Sequence, residues 1–278
     1  MKRKVRRWIR YSIEQIKENA KNVNSLSVWA NGYSADTTDK LAGRIYQITF
    51  TDGSSRKYQF LDGERLLWCD GVSEQEEAYR AAYAPGCSHT FVVQHFQTGG
   101  ELPAGVALIL NDKNGCVTFI DMKVGLPQNP REVTRKICFG HIKGIATPED
   151  EEHSFTLDLV GKAILWKKEH DERPLFKQMY IAPEFYNYVH EYPESNECWM
   201  TTNPALYVRL GKGLYLISAL KERQTGAHLL SLINTDKMLE RELEFGFIGD
   251  DQLSGDDFFR MTLQAERTGC WTTIDSLV

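Results

Sequence analysis

The spacing of apolar residues changes once along the chain. Val5, Ile9, Ile13 and Ile16 recur at helical spacing, with Trp8 beside them and Lys17 and Glu18 on the polar side, which predicts a basic amphipathic helix within residues 1–30. Beyond Asn22 the period shortens to two. GRIYQITF (43–50) and RKYQFL (56–61) are joined by Thr51-Asp52-Gly53-Ser54-Ser55, whose Asp-Gly supplies the positive φ that a tight hairpin needs. RLLWC, EAYRAAYA, TFVVQHFQ, GVALILN and CVTFIDMKV follow, separated by further turn signals such as Asn111-Asp112-Lys113-Asn114-Gly115. A second series runs GKAILWKK, FKQMYIA, FYNYVHEY, ECWMTT, ALYVRL, GLYLISALKE, AHLLSLIN, ELEFGFI and FFRMTLQAE. Short strands recurring every ~8–14 residues predict antiparallel meanders that close on themselves or pack as sandwiches.

TPEDEEH (147–153) separates the two series with a proline and four consecutive acids, a composition that stays in water and reads as a linker. The series also look like copies. Leu41-Ala42-Gly43-Arg44 matches Leu159-Val160-Gly161-Lys162, TFVVQHFQ can be set against LYLISALK, and Gly105-Val106-Ala107-Leu108 against Gly226-Ala227-His228-Leu229. The expected organisation is all-β: a helix over 1–30, a first barrel over 31–146, an acidic linker over 147–156 and a second barrel over 157–278. A barrel of about eight strands has room inside for its own side chains or for one small ligand.

Charge and cysteine usage narrow the function. Six basic residues and no acid stand in the first ten positions, and removing them from the formal charge of -5 leaves -11 for the remainder. Such a body is a poor partner for nucleic acid. No segment has the apolar length of a membrane span, and the N-terminus lacks the apolar core of a secretory signal. The six cysteines form no CxxC pair, so reduced thiols in the cytoplasm are expected. The seven histidines show no metal-ligand spacing, no glycine-rich phosphate loop is present, and no cofactor is expected.

The chemistry-bearing stretch is FYNYVHEY. On a strand, Tyr186, Tyr188, His190 and Tyr192 share one face and Phe185, Asn187, Val189 and Glu191 the other. Two phenols in a Tyr-x-Tyr pair can point at one anionic oxygen, as in the single-barrel phenolic acid decarboxylases. Tyr188 and His190 are the candidate catalytic groups for acid–base work, and Tyr186, Lys177, Trp199 and Tyr215 the candidate ligand-binding set. The same rings could instead pack at a barrel mouth with their polar tips wet.

Leu41-Ala42-Gly43-Arg44, Phe50-Thr51-Asp52-Gly53, Leu67-Trp68 and Ala78-Tyr79-Arg80-Ala81, with Leu159-Val160-Gly161-Lys162, Leu165-Trp166, Met179-Tyr180-Ile181 and Gly213-Leu214-Tyr215-Leu216-Ile217-Ser218, resemble the molybdenum cofactor biosynthesis protein F (MoaF-like) family. The resemblance implies two tandem lipocalin-like (calycin) β-barrels with a cavity, and leaves the chemistry open. Where the family usually carries a Glu-His pair, this chain has Lys177-Gln178-Met179, and Ala219-Leu220-Lys221-Glu222-Arg223 stands in place of a Trp-Arg-Glu-Lys run. The expectation is a protein that binds a small hydrophobic or aromatic organic molecule in its second barrel. If catalytic, it would act without a cofactor as an isomerase, cyclase or decarboxylase on an aromatic or polyene substrate. The alternative is a non-catalytic binding or scaffold protein with side-chain-filled barrels. No nucleic acid or integral membrane contact is expected, and homo-oligomerisation is left open.

Overall fold

In the computed structural model, the structure describes residues 36–97, 104–126, 129–167, 174–192, 197–221, 226–247 and 259–274. The expected helix over 1–30 lies outside the described residues. Eight antiparallel strands follow one another, β1 (Ile45–Phe50), β2 (Ser55–Phe60), β3 (Arg65–Cys69), β4 (Glu74–Tyr83), β5 (Thr90–Gln97), β6 (Ala104–Asn111), β7 (Cys116–Leu126) and β8 (Asn129–Ile142). Each pairs with the next, and β8 returns to β1 with Ile142 opposite Ile48, closing the first barrel.

The second half contains β9 (Ser154–Phe155), β10 (Ala163–Lys167), β11 (Pro174–Ala182), β12 (Phe185–Tyr192), β13 (Glu197–Gly211), β14 (Leu214–Leu220), β15 (Ala227–Asn234), β16 (Leu239–Phe247), β17 (Phe259–Leu263) and β18 (Arg267–Thr272). Pairing runs in order from β10 to β16, and β18 joins β16 to β10 to close a second eight-stranded ring. β17 pairs with the other end of β16, so the last strand of this barrel is built from two pieces.

The copies are visible in the bonding. The amide of Gly43 (φ 77) donates to the carbonyl of Phe60, and that of Gly161 (φ 84) to the carbonyl of Tyr180. A positive φ suits glycine at both turns, and the leucine two residues earlier, Leu41 or Leu159, is fully buried. Sheet pairing corrects the alignment further along. His95 lies opposite Tyr79 and Val106, and Ala219 opposite Ala205 and Leu229. Val106 therefore corresponds to Leu229, not to Ala227.

Strands β5, β6 and β15 are buried along almost their whole length, which one barrel alone cannot produce. Inward residues such as Phe91, Val93, Val106 and Leu108 line the first barrel. The outward residues of the same strands, Val92, Phe96, Ala107 and Ile109, pack on Leu216, Leu230, Leu232 and Phe245 of the second. Phe96 and Phe245 meet across this seam at 6.4 Å between ring centroids. The arrangement has the character of a sandwich built from the outer faces of two barrels.

The linker is also docked. Glu149–Glu152 are exposed as their charge dictates, but the Asn114 amide donates to Glu151 at 2.8 Å, and His153 is buried beside Thr118 at 2.8 Å. β9 then adds to the edge of β13, with Phe155 against Phe139.

Gly105 is the notch that lets the barrels approach. A Cβ there would lie 2.4 Å from Phe245 Cε2 and 2.6 Å from Met261 Cε. Gly105→Ala is expected to lose about 1–3 kcal/mol by overpacking, read as a lower urea midpoint, and Phe245→Leu in the same chain should restore part of it. His153 and His228 sit in the seam and His95 inside the first barrel, all with their pKa lowered by burial, His95 and His153 to about 4. The stability they contribute is complete above the unfolded histidine pKa near 6.5 and is lost as pH falls towards 4. Urea midpoints measured across that range should fall steadily towards acid, with a slope that exceeds one histidine's ~1.4 kcal/mol per pH unit.

Candidate functional site

The interior of the second barrel is more polar than its strand pattern suggests. Along β16, Leu243 and Phe245 face the seam, so the alternate residues Glu240, Glu242 and Glu244 face inward. All three are buried, Glu240 completely. Gln178 on β11 anchors them. Its Oε1 accepts hydrogen bonds from Trp166 Nε1 at 3.1 Å and from the Tyr180 hydroxyl at 2.8 Å. Its Nε2 donates to Glu240 Oε1 at 3.0 Å, and Ser231 donates to the same oxygen.

Arg267, at the start of β18, supplies the cation. It pairs with Glu242, and its Nε lies 3.7 Å from Glu240 Oε2. Its guanidinium also lies over the Phe176 ring at 4.9 Å, and Phe176 stacks on Tyr188 at 4.7 Å. Glu244 pairs separately with Lys221. The other oxygen of Glu240, Oε2, is buried without a hydrogen-bond partner among the described residues. Burial beside Glu242 raises the Glu240 pKa above the carboxylate range, with Arg267 acting against that rise, so Glu240 holds its proton to higher pH than an ordinary glutamate.

Of the residues singled out from sequence, Tyr186 and Tyr188 reach this interior. Tyr186 is buried, and its phenol pKa is raised well above the usual value, mainly by burial and next by the nearby Glu242. Tyr188 is half-buried and stacks on Phe176. Tyr215 faces the same core but sends its hydroxyl to Asp158, 3.4 Å away. The expected cation Lys177 is corrected: it stands opposite Val189 on the outer face that carries Met179, because Phe176 and Gln178 take the inward positions. Arg267 is a cation that faces this interior. His190 pairs in register with Phe176 and Trp199, and the side chains of His190 and Trp199 lie outside the described residues.

Glu240, Glu242 and Arg267 were not among the sequence candidates. The signal was present in LERELEF, where acids occupy every second position. Acids at that spacing ordinarily mark the solvent face of a strand, and only the docking of the other barrel turns them inward. Removing Arg267 alone would strand two buried carboxyls. Arg267→Met is expected to lose about 3–5 kcal/mol, measured by urea unfolding. For Glu240 the sign is opposite to that of the histidines: a raised folded pKa gives stability present below the unfolded value and lost as pH rises through the folded one. Glu240→Gln should flatten that loss, which begins above the unfolded glutamate pKa of about 4.3, as read from urea midpoints between there and neutral pH.

Residues 20–123 match the MoaF N-terminal domain family, a span that includes the first barrel from β1 into β7. No curated protein matches the chain.

Proposed function

The protein carries a MoaF N-terminal domain in its first half, and from that premise we propose that it binds a small organic molecule in the second barrel. The observation that carries this reading is Glu240 Oε2, buried with the 3.7 Å ion pair to Arg267 but no hydrogen bond among the described residues, and set among Tyr186, Tyr188 and Phe176. A polar group of a ligand would complete that carboxyl, while the stacked Phe176 and Tyr188 rings would receive an aromatic or polyene body. Burying a polar atom without a partner costs about 1–3 kcal/mol, so a ligand that satisfies it gains by the same order.

The same arrangement supports acid–base chemistry without a cofactor. Glu240 would donate a proton held by its raised pKa, and Glu242, paired with Arg267, would supply the carboxylate that takes one up. Isomerisation, cyclisation or decarboxylation of an aromatic or polyene substrate fits these roles, with Tyr188 opposite Gln178, which bonds the acid. Cys69, Cys87, Cys116, Cys138 and Cys270 are free thiols, which supports a reducing, cytoplasmic setting. A second reading, a scaffold with filled barrels, draws support from the fully buried Trp166 and its bond to Gln178.

Native mass spectrometry of the full chain, purified without denaturation, separates the two. A small-molecule adduct that leaves on gentle activation, and is lost in Glu240→Gln while the melting temperature holds, is the expected result. An adduct-free wild-type mass, together with a changed unfolding midpoint when Tyr188→Phe and Glu240→Gln are combined, would support the filled scaffold.

A further inference from the structure

The first barrel holds a different set of polar groups, all on inward strand positions. The guanidinium of Arg56 on β2 lies between two rings, its Cζ 4.7 Å from the Trp68 centroid and 4.5 Å from that of Phe119. Trp68 in turn lies 6.3 Å from the His95 ring. His95 Nδ1 is 2.7 Å from the carbonyl of Phe96, so that nitrogen carries the proton. Nε2 then accepts from the Tyr58 hydroxyl at 3.3 Å. Asp121 is near enough to act on Tyr58, as is Arg56.

Within this cluster four buried atoms have no hydrogen-bond partner among the described residues: Arg56 Nη1, Trp68 Nε1, Gln75 Oε1 and Asp121 Oδ1. Two are donors and two are acceptors. Trp68 and Gln75 stand directly opposite each other on β3 and β4, and Asp121 is one strand beyond Val106, which faces His95. Buried polar atoms are nearly always bonded, so four unbonded ones in one neighbourhood call for something that bonds them.

We propose that the first barrel contains a second ligand site, formed by Arg56, Trp68, Gln75 and Asp121, that takes a small aromatic carboxylate carrying a hydroxyl or amine. The two donors suit a carboxylate, which the planar guanidinium recognises best. The two acceptors require a donor on the same molecule, and the ring walls of Tyr58, Trp68 and Phe119 suit an aromatic body. Asp121, with the buried Glu77 on the same face of β4 as Gln75, disfavours a doubly charged phosphate. The site is independent of the acids in the second barrel.

The test is isothermal titration of the full chain with 4-hydroxybenzoate and with benzoate. Wild type and Glu240→Gln should both bind 4-hydroxybenzoate saturably and with equal affinity, and benzoate more weakly. Arg56→Met should weaken 4-hydroxybenzoate by about tenfold or more and Trp68→Phe by a few-fold, in keeping with the loss of bonds to a charged group. Arg56→Met nearly keeps the packing volume and removes an unbonded buried atom, so it should melt at or above the wild-type temperature, whereas Trp68→Phe leaves a small cavity and should melt somewhat lower. The proposal is overturned if neither probe binds wild type, if Arg56→Met binds as tightly as wild type, or if Glu240→Gln abolishes binding. A lowered melting temperature in Arg56→Met would also count against it, by showing that this group serves the fold.

Discussion

Everything else in this molecule depends on the apolar seam between the outer faces of its two barrels. A free eight-stranded barrel can turn its apolar residues inward and its polar residues to water. Here the strands from β5 to β7 and from β13 to β17 need a second apolar face, because each supplies the partner surface for the other barrel. The seam includes small devices as well as large side chains. Gly105 makes room for Phe245, and the His228 ring lies between Ser218 and Met122, at 2.8 Å from each. A linker stapled by Glu151 and His153 then holds the two units in register.

The seam also decides where polarity can go. On β16 it consumes Leu243 and Phe245, and strand alternation sends Glu240, Glu242 and Glu244 into the barrel. Three buried acids are tolerable only with compensation, which Arg267, Lys221, Gln178 and Ser231 supply. The corresponding positions of β7 in the first barrel, set by the pairing of Leu229 with Glu244 and of Val106 with Asp121, are Val117, Phe119 and Asp121. Two copies of one architecture thus hold different interiors: an acidic ladder in one, and an arginine between rings in the other.

The hairpins, the duplication and the shared face of Tyr186 and Tyr188 were legible in the sequence because strand alternation and Asp-Gly turns are local signals. Register across strands is not local. Whether Lys177 or Gln178 faces Tyr188 depends on a one-residue choice of pairing that the residues of β11 do not reveal. Arg267 is far along the chain from Phe176 and meets it only through closure of the ring. The inward direction of Glu240 and Glu242 was hidden for a stronger reason: the face that reads as solvent-exposed is defined by a partner surface contributed by β5 to β7. In the first barrel, Arg56 stands at the start of a hairpin strand of alternating polar and apolar residues, and its position between Trp68 and Phe119 requires three strands to be placed at once.

The dependence of both barrels on their seam is tested most directly by producing residues 36–146 and 147–278 as separate chains and following each by circular dichroism and size-exclusion chromatography. The account predicts that each half alone is unfolded or self-associates through its exposed apolar face, and that equimolar mixing restores a one-to-one complex with the cooperative melt of the full chain. Two halves that each run as folded monomers, with cooperative melts matching that of the full chain, would contradict it.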